Sequence, residues 1–386
     1  MAVVVQKFGG TSVADTDRLE HVAEMVVATK RAGYDVVVVV SAMAGATDQL
    51  VALAKRITDA PPRRELDMLV STGERVSMAL LSMAIQKRGL ESISFTGSQC
   101  GIITNDRHFD ARIIEVKPHR VEDELGRGRV VIVAGYQGMS YRREITTLGR
   151  GGSDTTALAM ASALKAERAE IYSDVDGVYS ADPRVVPGAR HLAALDYAEM
   201  QEMADAGAKV LHAAAVEFAA RGGTPIHCRS TFAPGRETVI RASEASGARA
   251  IVGMKGLARV RSDDPVRIRE AMQVAERTHV RIYRQSQSDH DAEFLLDTRH
   301  APEWSRVRAS IDAVLEGHGT VDGGLAAVTV VGKVDSPADE GRFWKTLGDA
   351  RMETHGFETA PLRMMAVVSE ENADDAVRRL HAEFVS

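Results

Sequence analysis

Short apolar runs alternate with longer stretches of helical period through the first two hundred residues, the pattern of a sheet covered by helices. The candidate strands are Val3 to Gln6, Asp35 to Val40, Ser92 to Thr96, Arg129 to Ala134 and Glu170 to Ser173. The second and fourth are Val-rich throughout, as strands buried on both faces are. Between them, Asp17 to Gly33 carries Leu19, Val22, Ala23, Val26 and Val27 at helical spacing and ends at a glycine suited to a left-handed cap. Thr72 to Gly89 reads likewise, with Val76, Ala79, Leu80 and Met83 as its apolar stripe. The expectation is a three-layer α/β domain.

After about Ala245 the pattern changes and can be read twice as strand, helix, strand, strand, helix. The first pass takes Ala250 to Arg261, Val266 to Arg277, His279 to Arg284, Glu293 to Asp297 and Ser305 to Gly317. The second takes Ala326 to Val334, Asp339 to Met352, a weak strand near Phe357, Arg363 to Val368 and Asn372 to Phe384. Two small α+β units are the simplest reading, so the expected division is residues 1–245, 246–318 and 319–386.

Composition narrows the chemistry. The chain has 386 residues, 48 Lys plus Arg against 54 Asp plus Glu, and a net charge of -6. A nucleic-acid binder needs a surplus of clustered cations, so no such partner is expected. Only Cys100 and Cys228 are present, which gives neither a disulfide framework nor a Cys-rich metal site and favours a reducing cytoplasm. The first apolar run is too short for a signal sequence, and no membrane span is expected.

Three segments carry candidate chemistry. Lys7-Phe-Gly-Gly-Thr-Ser12 falls where a strand ends and a helix is about to begin; its small residues let backbone N–H groups approach an anion while Lys7 adds a point charge. A plain strand-to-helix turn would use the same glycines. Thr147-Leu-Gly-Arg-Gly-Gly-Ser-Asp-Thr-Thr156 opens an apolar helix read as Ala157 to Leu164. Ser153 or Asp154 is a ready N-cap. Three glycines around Arg150 exceed what a cap requires and suit a two-pronged grip on a carboxylate or phosphate. Ser173-Asp-Val-Asp-Gly-Val-Tyr-Ser-Ala-Asp-Pro-Arg184 leaves a strand end through a turn-rich loop, where ligands sit in open α/β sheets. By itself that acidic loop suits a nucleotide, a divalent ion or plain solvent.

These motifs occur in one order with Ser41-Ala-Met, Thr47-Asp, Ser71-Thr-Gly-Glu-Arg75, Phe95-Thr-Gly-Ser-Gln-Cys-Gly101 and Val133-Ala-Gly-Tyr-Gln-Gly138. In that combination the chain closely resembles the aspartokinases of the amino acid kinase family, densely over roughly residues 1 to 240. The resemblance implies an open, mainly parallel sheet between helix layers, followed by two ferredoxin-like ACT modules. It also implies ATP-dependent phosphorylation of the side-chain carboxylate of L-aspartate, the first step of aspartate-derived amino acid synthesis, including lysine and threonine. Position by position, Lys7 would sit on the phosphates with Gly9, Gly10 and Ser12 lining the transfer site. Asp154 would orient Lys7 and the transferring group. Arg150, with Gly151 and Gly152, would hold the aspartate α-carboxylate, and Ser41, Thr47, Glu74 and Ser153 would complete the amino-acid pocket, Glu74 facing the ammonium. Ser173, Asp174, Tyr179, Asp182, Arg184 and Lys209 would contact ATP. Magnesium would bridge the phosphates, with no protein metal site assigned, and the ACT-like modules would hold a homodimer or larger homo-oligomer. The acceptor carboxylate has a reference pKa near 4 and needs no general base, which fits the scarcity of His in these motifs.

The tail departs from the family. Where regulated relatives carry effector-contact residues, this chain reads Arg284-Gln-Ser-Gln-Ser-Asp289 and Phe357-Glu-Thr-Ala-Pro-Leu-Arg363, and only Gln285 matches well. Ser262-Asp-Asp-Pro265 stands where a glycine turn is usual. Weakened inhibition by lysine and threonine is therefore expected, as in a paralogue serving a specialised pathway; the alternative is an effector site rebuilt with other residues. The competing functions are another amino acid kinase, acting on N-acetylglutamate, glutamate or UMP, and a non-catalytic amino-acid-sensing subunit.

Overall fold

A computed structural model describes residues 1–149, 151–244, 247–287, 292–299, 301 and 303–385; Arg150, Ser288 and Asp289 fall outside them. The chain forms two compact units. The first comprises Met1–Val178, His191–Asp205 and Lys209–Ala245, and the second Tyr179–Arg190, Ala206–Ala208 and Ser246–Ser386.

An eight-stranded sheet runs through the first unit in the order Ala194–Leu195, Glu237–Ile240, Ile226–Ser230, Arg168–Ser173, Val3–Phe8, Asp35–Val40, Val130–Ala134, Ser92–Phe95. The six strands from Ile226–Ser230 to Ser92–Phe95 are parallel, and Glu237–Ile240 turns back against Ile226–Ser230. Every residue of Asp35–Val40 and of Val130–Ala134 is buried, as their continuous apolar runs require, with Asp35 paired to Lys30 at 2.8 Å. One face, with Phe8, Val36, Val38, Val40 and Ile132, packs on helices Thr16–Arg31 and Thr72–Lys87. Helix Gly152–Ala163 covers the other face, backed by Ala213–Gly222. A separate four-stranded sheet is built from Ile102–Thr104, Ile113–Val116, Gln137–Ser140 and Ile145–Thr147.

Helix Thr16–Arg31 buries the five residues its periodicity named, and Gly33 adopts φ +96° just past its end. The stripe expected for Thr72–Lys87 holds only in part: Ala79 and Leu80 are half-buried, with Leu80 packed against the core. Val76 and Met83 are exposed, and the buried side is Glu74, Ser77, Met78, Leu81, Ser82 and Ile85. The helix is apolar on both sides, so period alone does not choose between them. Of its buried polar groups, Ser82 finds a partner, its Oγ lying 2.9 Å from Ser92 Oγ.

The second unit is one six-stranded antiparallel sheet, ordered Arg281–Gln287, Ala292–Asp297, Ala248–Ser262, Gly319–Gly332, Arg363–Ser369, Thr354–Ala360. Each strand-helix-strand-strand-helix pass begins with one of the central pair of long strands and adds its other two strands outward from it, with helices Pro265–Thr278, Trp304–Leu315, Pro337–Asp349 and Ala373–Phe384. Two apolar clusters pack against this sheet, one around Val260, Phe294 and Ile311, the other around Val328, Phe343 and Leu380 and taking in Ile251. The sheet curls into a half-barrel, so that Arg284 on one edge strand reaches Glu358 on the other at 2.7 Å. Met254, Leu257, Leu295, Leu325, Met365 and Val367 fill the concave side. Asp264 caps its helix from Val266 N, which accounts for the Asp-Pro in place of a glycine turn.

Candidate active site

Strand Val3–Phe8 connects to Asp35–Val40 on one side of it, while its other neighbour, Arg168–Ser173, leads outward to Ile226–Ser230. The sheet's direction of winding therefore reverses at Val3–Phe8, and the carboxyl end of such a switch point is an open crevice. Alternation along the strand turns Gln6 and Phe8 toward one helix layer and Lys7 toward helix Gly152–Ala163. There Lys7 Nζ lies 2.6 Å from Asp154 Oδ1, both residues nine-tenths buried.

Backbone past the strand folds tightly over this pair. Gly9 N donates to Tyr172 O at 3.2 Å, Ser12 N donates to Gly9 O at 2.9 Å, and Gly10–Val13 makes a single 3-10 turn. A Cβ on Gly10 would stand 3.0 Å from Ala42 O, so the second glycine is required by a neighbouring backbone. Ser12 is fully buried, its hydroxyl 2.6 Å from Thr231 Oγ1. Tyr172, directly before the acidic loop, stacks on Phe8 at 4.8 Å, and Thr231, just past strand Ile226–Ser230, is a supporting residue that no local motif signalled.

Helix Gly152–Ala163 starts five residues earlier than its apolar run suggests. Gly151, at φ +67°, is its N-cap with no side-chain cap bond, so neither Ser153 nor Asp154 has the capping role open to it in sequence; both sit in the first turn. A Cβ on Gly151 would meet His212 Cβ at 2.5 Å, and one on Gly135 would meet Ser153 Oγ at 2.8 Å.

Across the crevice, Ser41 N donates to Phe8 O at 3.1 Å and Ala42 N donates to Glu74 Oε1 at 3.1 Å. Glu74 is 3% exposed, and its Oε2 has no hydrogen-bond partner among the described residues. Burial pushes the carboxyl up to about 7, against the pull of backbone donors that include Ala42 N–H. A buried carboxyl group with one unpaired oxygen is short of one hydrogen-bond donor. Thr47 stands in the first turn of helix Ala46–Ile57, behind Gly45 at φ +76°.

The remaining candidates are more dispersed. Ser173 ends its strand and makes a local turn with Val175, and Asp174 and Lys209 are exposed. Tyr179, Asp182 and Arg184 belong to the second unit, where Arg184 Nη2 pairs with Asp182 Oδ2 at 2.6 Å in an exposed turn. Ala181 and Val186, within the same stretch, are buried in that unit's core.

The amino acid kinase family model matches residues 2–230. The aspartokinase of Mycolicibacterium smegmatis is 55% identical over 244 residues, a match covering 63% of this chain and 58% of that protein. The chain thus spans under two thirds of the mycobacterial relatives it matches. The aspartokinase of Corynebacterium glutamicum is 40% identical over 411 aligned positions, covering 100% of this chain and 96% of the other. The chain belongs to the amino acid kinase family, among the aspartokinases. Among solved structures, Escherichia coli aspartokinase III in complex with aspartate and ADP superposes on this aspartokinase-family chain with a TM-score of 0.84 at 26% identity, covering both chains fully. The same enzyme in complex with lysine and aspartate gives 0.77.

Proposed function

We propose that this aspartokinase-family chain transfers the γ-phosphoryl group of ATP to the side-chain carboxylate of L-aspartate, giving 4-phospho-L-aspartate and ADP. The observation that carries the reading is the largely buried Lys7–Asp154 pair beside the glycine turn, together with the unsatisfied Oε2 of the buried Glu74. The carboxylate oxygen attacks phosphorus, the bond to the β-phosphate oxygen breaks, and the electron pair leaves with ADP. No proton has to move, so the site's task is to bring two anions together and stabilise charge on the transferring group. Lys7 supplies the cation, Gly9, Gly10 and Ser12 line the transfer site, and Asp154 keeps Lys7 aimed at the transferring group. Glu74 Oε2 takes the substrate ammonium, with Ser41, Thr47, Arg150, Gly151, Gly152 and Ser153 around the rest of the amino acid. Ser173, Asp174, Tyr179, Asp182, Arg184 and Lys209 serve the nucleotide.

Magnesium, when bound, neutralises phosphate charge. Among the described residues no group of three acidic, His or Cys side chains is placed to hold a metal ion. The second unit reads as two ACT-like modules, 246–318 and 319–386, fused through the long central strands and pairing copies of the chain into a homo-oligomer in the cytoplasm. Relaxed feedback is part of the same reading. The two segments that stand in place of the effector contacts are tied to each other, since Arg284 and Arg363 both donate to Glu358 Oε1, at 2.7 and 2.6 Å.

Coupled ADP release with Mg-ATP separates the alternatives. Turnover with aspartate, and little with glutamate, N-acetylglutamate or UMP, is expected; no turnover with aspartate is fatal to the reading.

A further inference from the structure

Asp67 is fully buried in helix Arg63–Val70 and belongs to none of the motifs described above. Its carboxylate accepts three hydrogen bonds from two separate pieces of chain. Thr147 Oγ1 donates to Oδ1 at 2.5 Å, His108 Nδ1 lies 2.6 Å from Oδ2, and the backbone N–H of Phe109 reaches the two oxygens at 3.0 and 3.2 Å. Phe109 is held at φ +69°, a left-handed conformation that a bulky aromatic residue adopts only under constraint. Such strain recurs where a site needs a particular backbone shape.

The partners bracket the substrate loop. Thr147 ends the strand that runs directly into Gly149–Gly152, and Thr147 O accepts from Ala111 N at 2.9 Å. A Cβ on Gly149 would stand 3.3 Å from Asp110 Oδ1, so segment 108–111 lies directly against the glycine loop. On the other side, helix Arg63–Val70 passes through Ser71 into helix Thr72–Lys87, which carries Glu74. Ser71 O is itself fixed by Gln137 Nε2 at 2.9 Å. One buried carboxylate thus ties the helix that leads to Glu74 to the strand end at Thr147 and to the segment lying against Gly149.

We infer that Asp67 is a positioning residue for the amino-acid substrate, holding the ammonium-binding and carboxylate-binding halves of the pocket at the spacing aspartate requires. The inference rests on the pocket assignment given under Proposed function. The phosphate cradle is anchored elsewhere, through Tyr172 O and Thr231 Oγ1, so the nucleotide side does not depend on Asp67. Misplacement by about 1 Å at a reacting centre costs on the order of a hundredfold in rate, which makes such a pin visible in kinetics.

The test is steady-state kinetics on the full chain with Asp67→Ala, Asp67→Asn, Thr147→Val and Glu74→Gln, with melting temperatures measured beside them. Asp67→Ala should raise KM for aspartate about tenfold or more and lower kcat, leaving KM for ATP within about twofold. Asn keeps an acceptor for Thr147 and Phe109, and its amide can donate to His108, so Asp67→Asn should restore most of the loss. Thr147→Val removes a single donor and should raise KM for aspartate by a few fold, again with KM for ATP unmoved; it keeps the test open if Asp67→Ala does not fold. Equal changes in both KM values, or a fall in melting temperature with KM for aspartate unchanged, overturn the inference. If Glu74→Gln weakens aspartate while the Asp67 and Thr147 variants do not, the pocket assignment stands and this inference fails. If Glu74→Gln is also silent, both fail.

Discussion

Lys7 and Asp154 form an ion pair that a stability argument alone does not explain. Taking two charges out of water costs more than a single contact returns unless further bonds satisfy them, so a largely buried pair beside a glycine turn points to work on a ligand. Lys7→Ala and Asp154→Ala should each lower kcat by about 10²–10³-fold while costing roughly 1–3 kcal/mol in stability. Turnover assays and melting curves on the two variants check this. Glu74 makes a second, signed prediction. Its carboxyl titrates at about 7, so it is charged above that pH and protonated below. Binding of an ammonium needs the charged form; kcat/KM for aspartate should therefore fall by about tenfold per pH unit well below 7, and Glu74→Gln should lose that limb. Stability runs the other way. Because the folded value lies above the unfolded one, this group's contribution is full below about 4.5 and is lost as pH rises through 7. Bound aspartate should consequently raise the melting temperature more at pH 8 than at pH 6. At this scale the sequence exposed the glycines, Lys7 and Glu74 as residue types in suggestive order. It did not expose Thr231 or Asp67, whose partners are 219 and 80 residues away along the chain.

Elements were legible where one physical signal dominated. Asp35–Val40 and Val130–Ala134 have no polar alternative to burial, and Thr16–Arg31 has a single apolar side closed by a left-handed glycine. Helix Thr72–Lys87 misleads because both sides are apolar; Ser77 and Ser82 mark the buried one only when their surroundings are known. The small sheet escapes notice because its strands are three or four residues long and include Gln137, Gly138 and three threonines, too short for a period to emerge. The start of Gly152–Ala163 was likewise hidden, since glycines at its head read as loop. Gly151 tests that start directly. An alanine there pays about 1–2 kcal/mol for the left-handed conformation and also meets His212, so Gly151→Ala should lower the melting temperature and, by tilting the turn that holds Ser153 and Asp154, cut kcat. An unchanged melting temperature contradicts the assigned helix start.

For the whole molecule, the sequence supplied a boundary near Ala245 and a twofold tail. The contacts are less tidy: Tyr179–Arg190 and Ala206–Ala208 pack with the C-terminal unit although they precede the boundary. Ile251 N donates to Ser180 O at 2.8 Å, and Ser180 Oγ lies 2.8 Å from His381 Nε2, so the segment is bound into the tail by pairings no local pattern announces. The half-barrel's closure through Arg284, Glu358 and Arg363 gives the regulatory prediction. Lysine and threonine at about 10 mM, alone or together, should leave the rate within about twofold, whereas strong inhibition by either would show a working effector site. The net charge of -6 gives no general attraction for anions, so the two proposed substrates depend on local positive groups such as Lys7. The central claim is that the chain makes an acyl phosphate from aspartate. Incubation with Mg-ATP, aspartate and hydroxylamine should yield aspartyl hydroxamate in step with ADP; ADP without hydroxamate, or neither product, would contradict it.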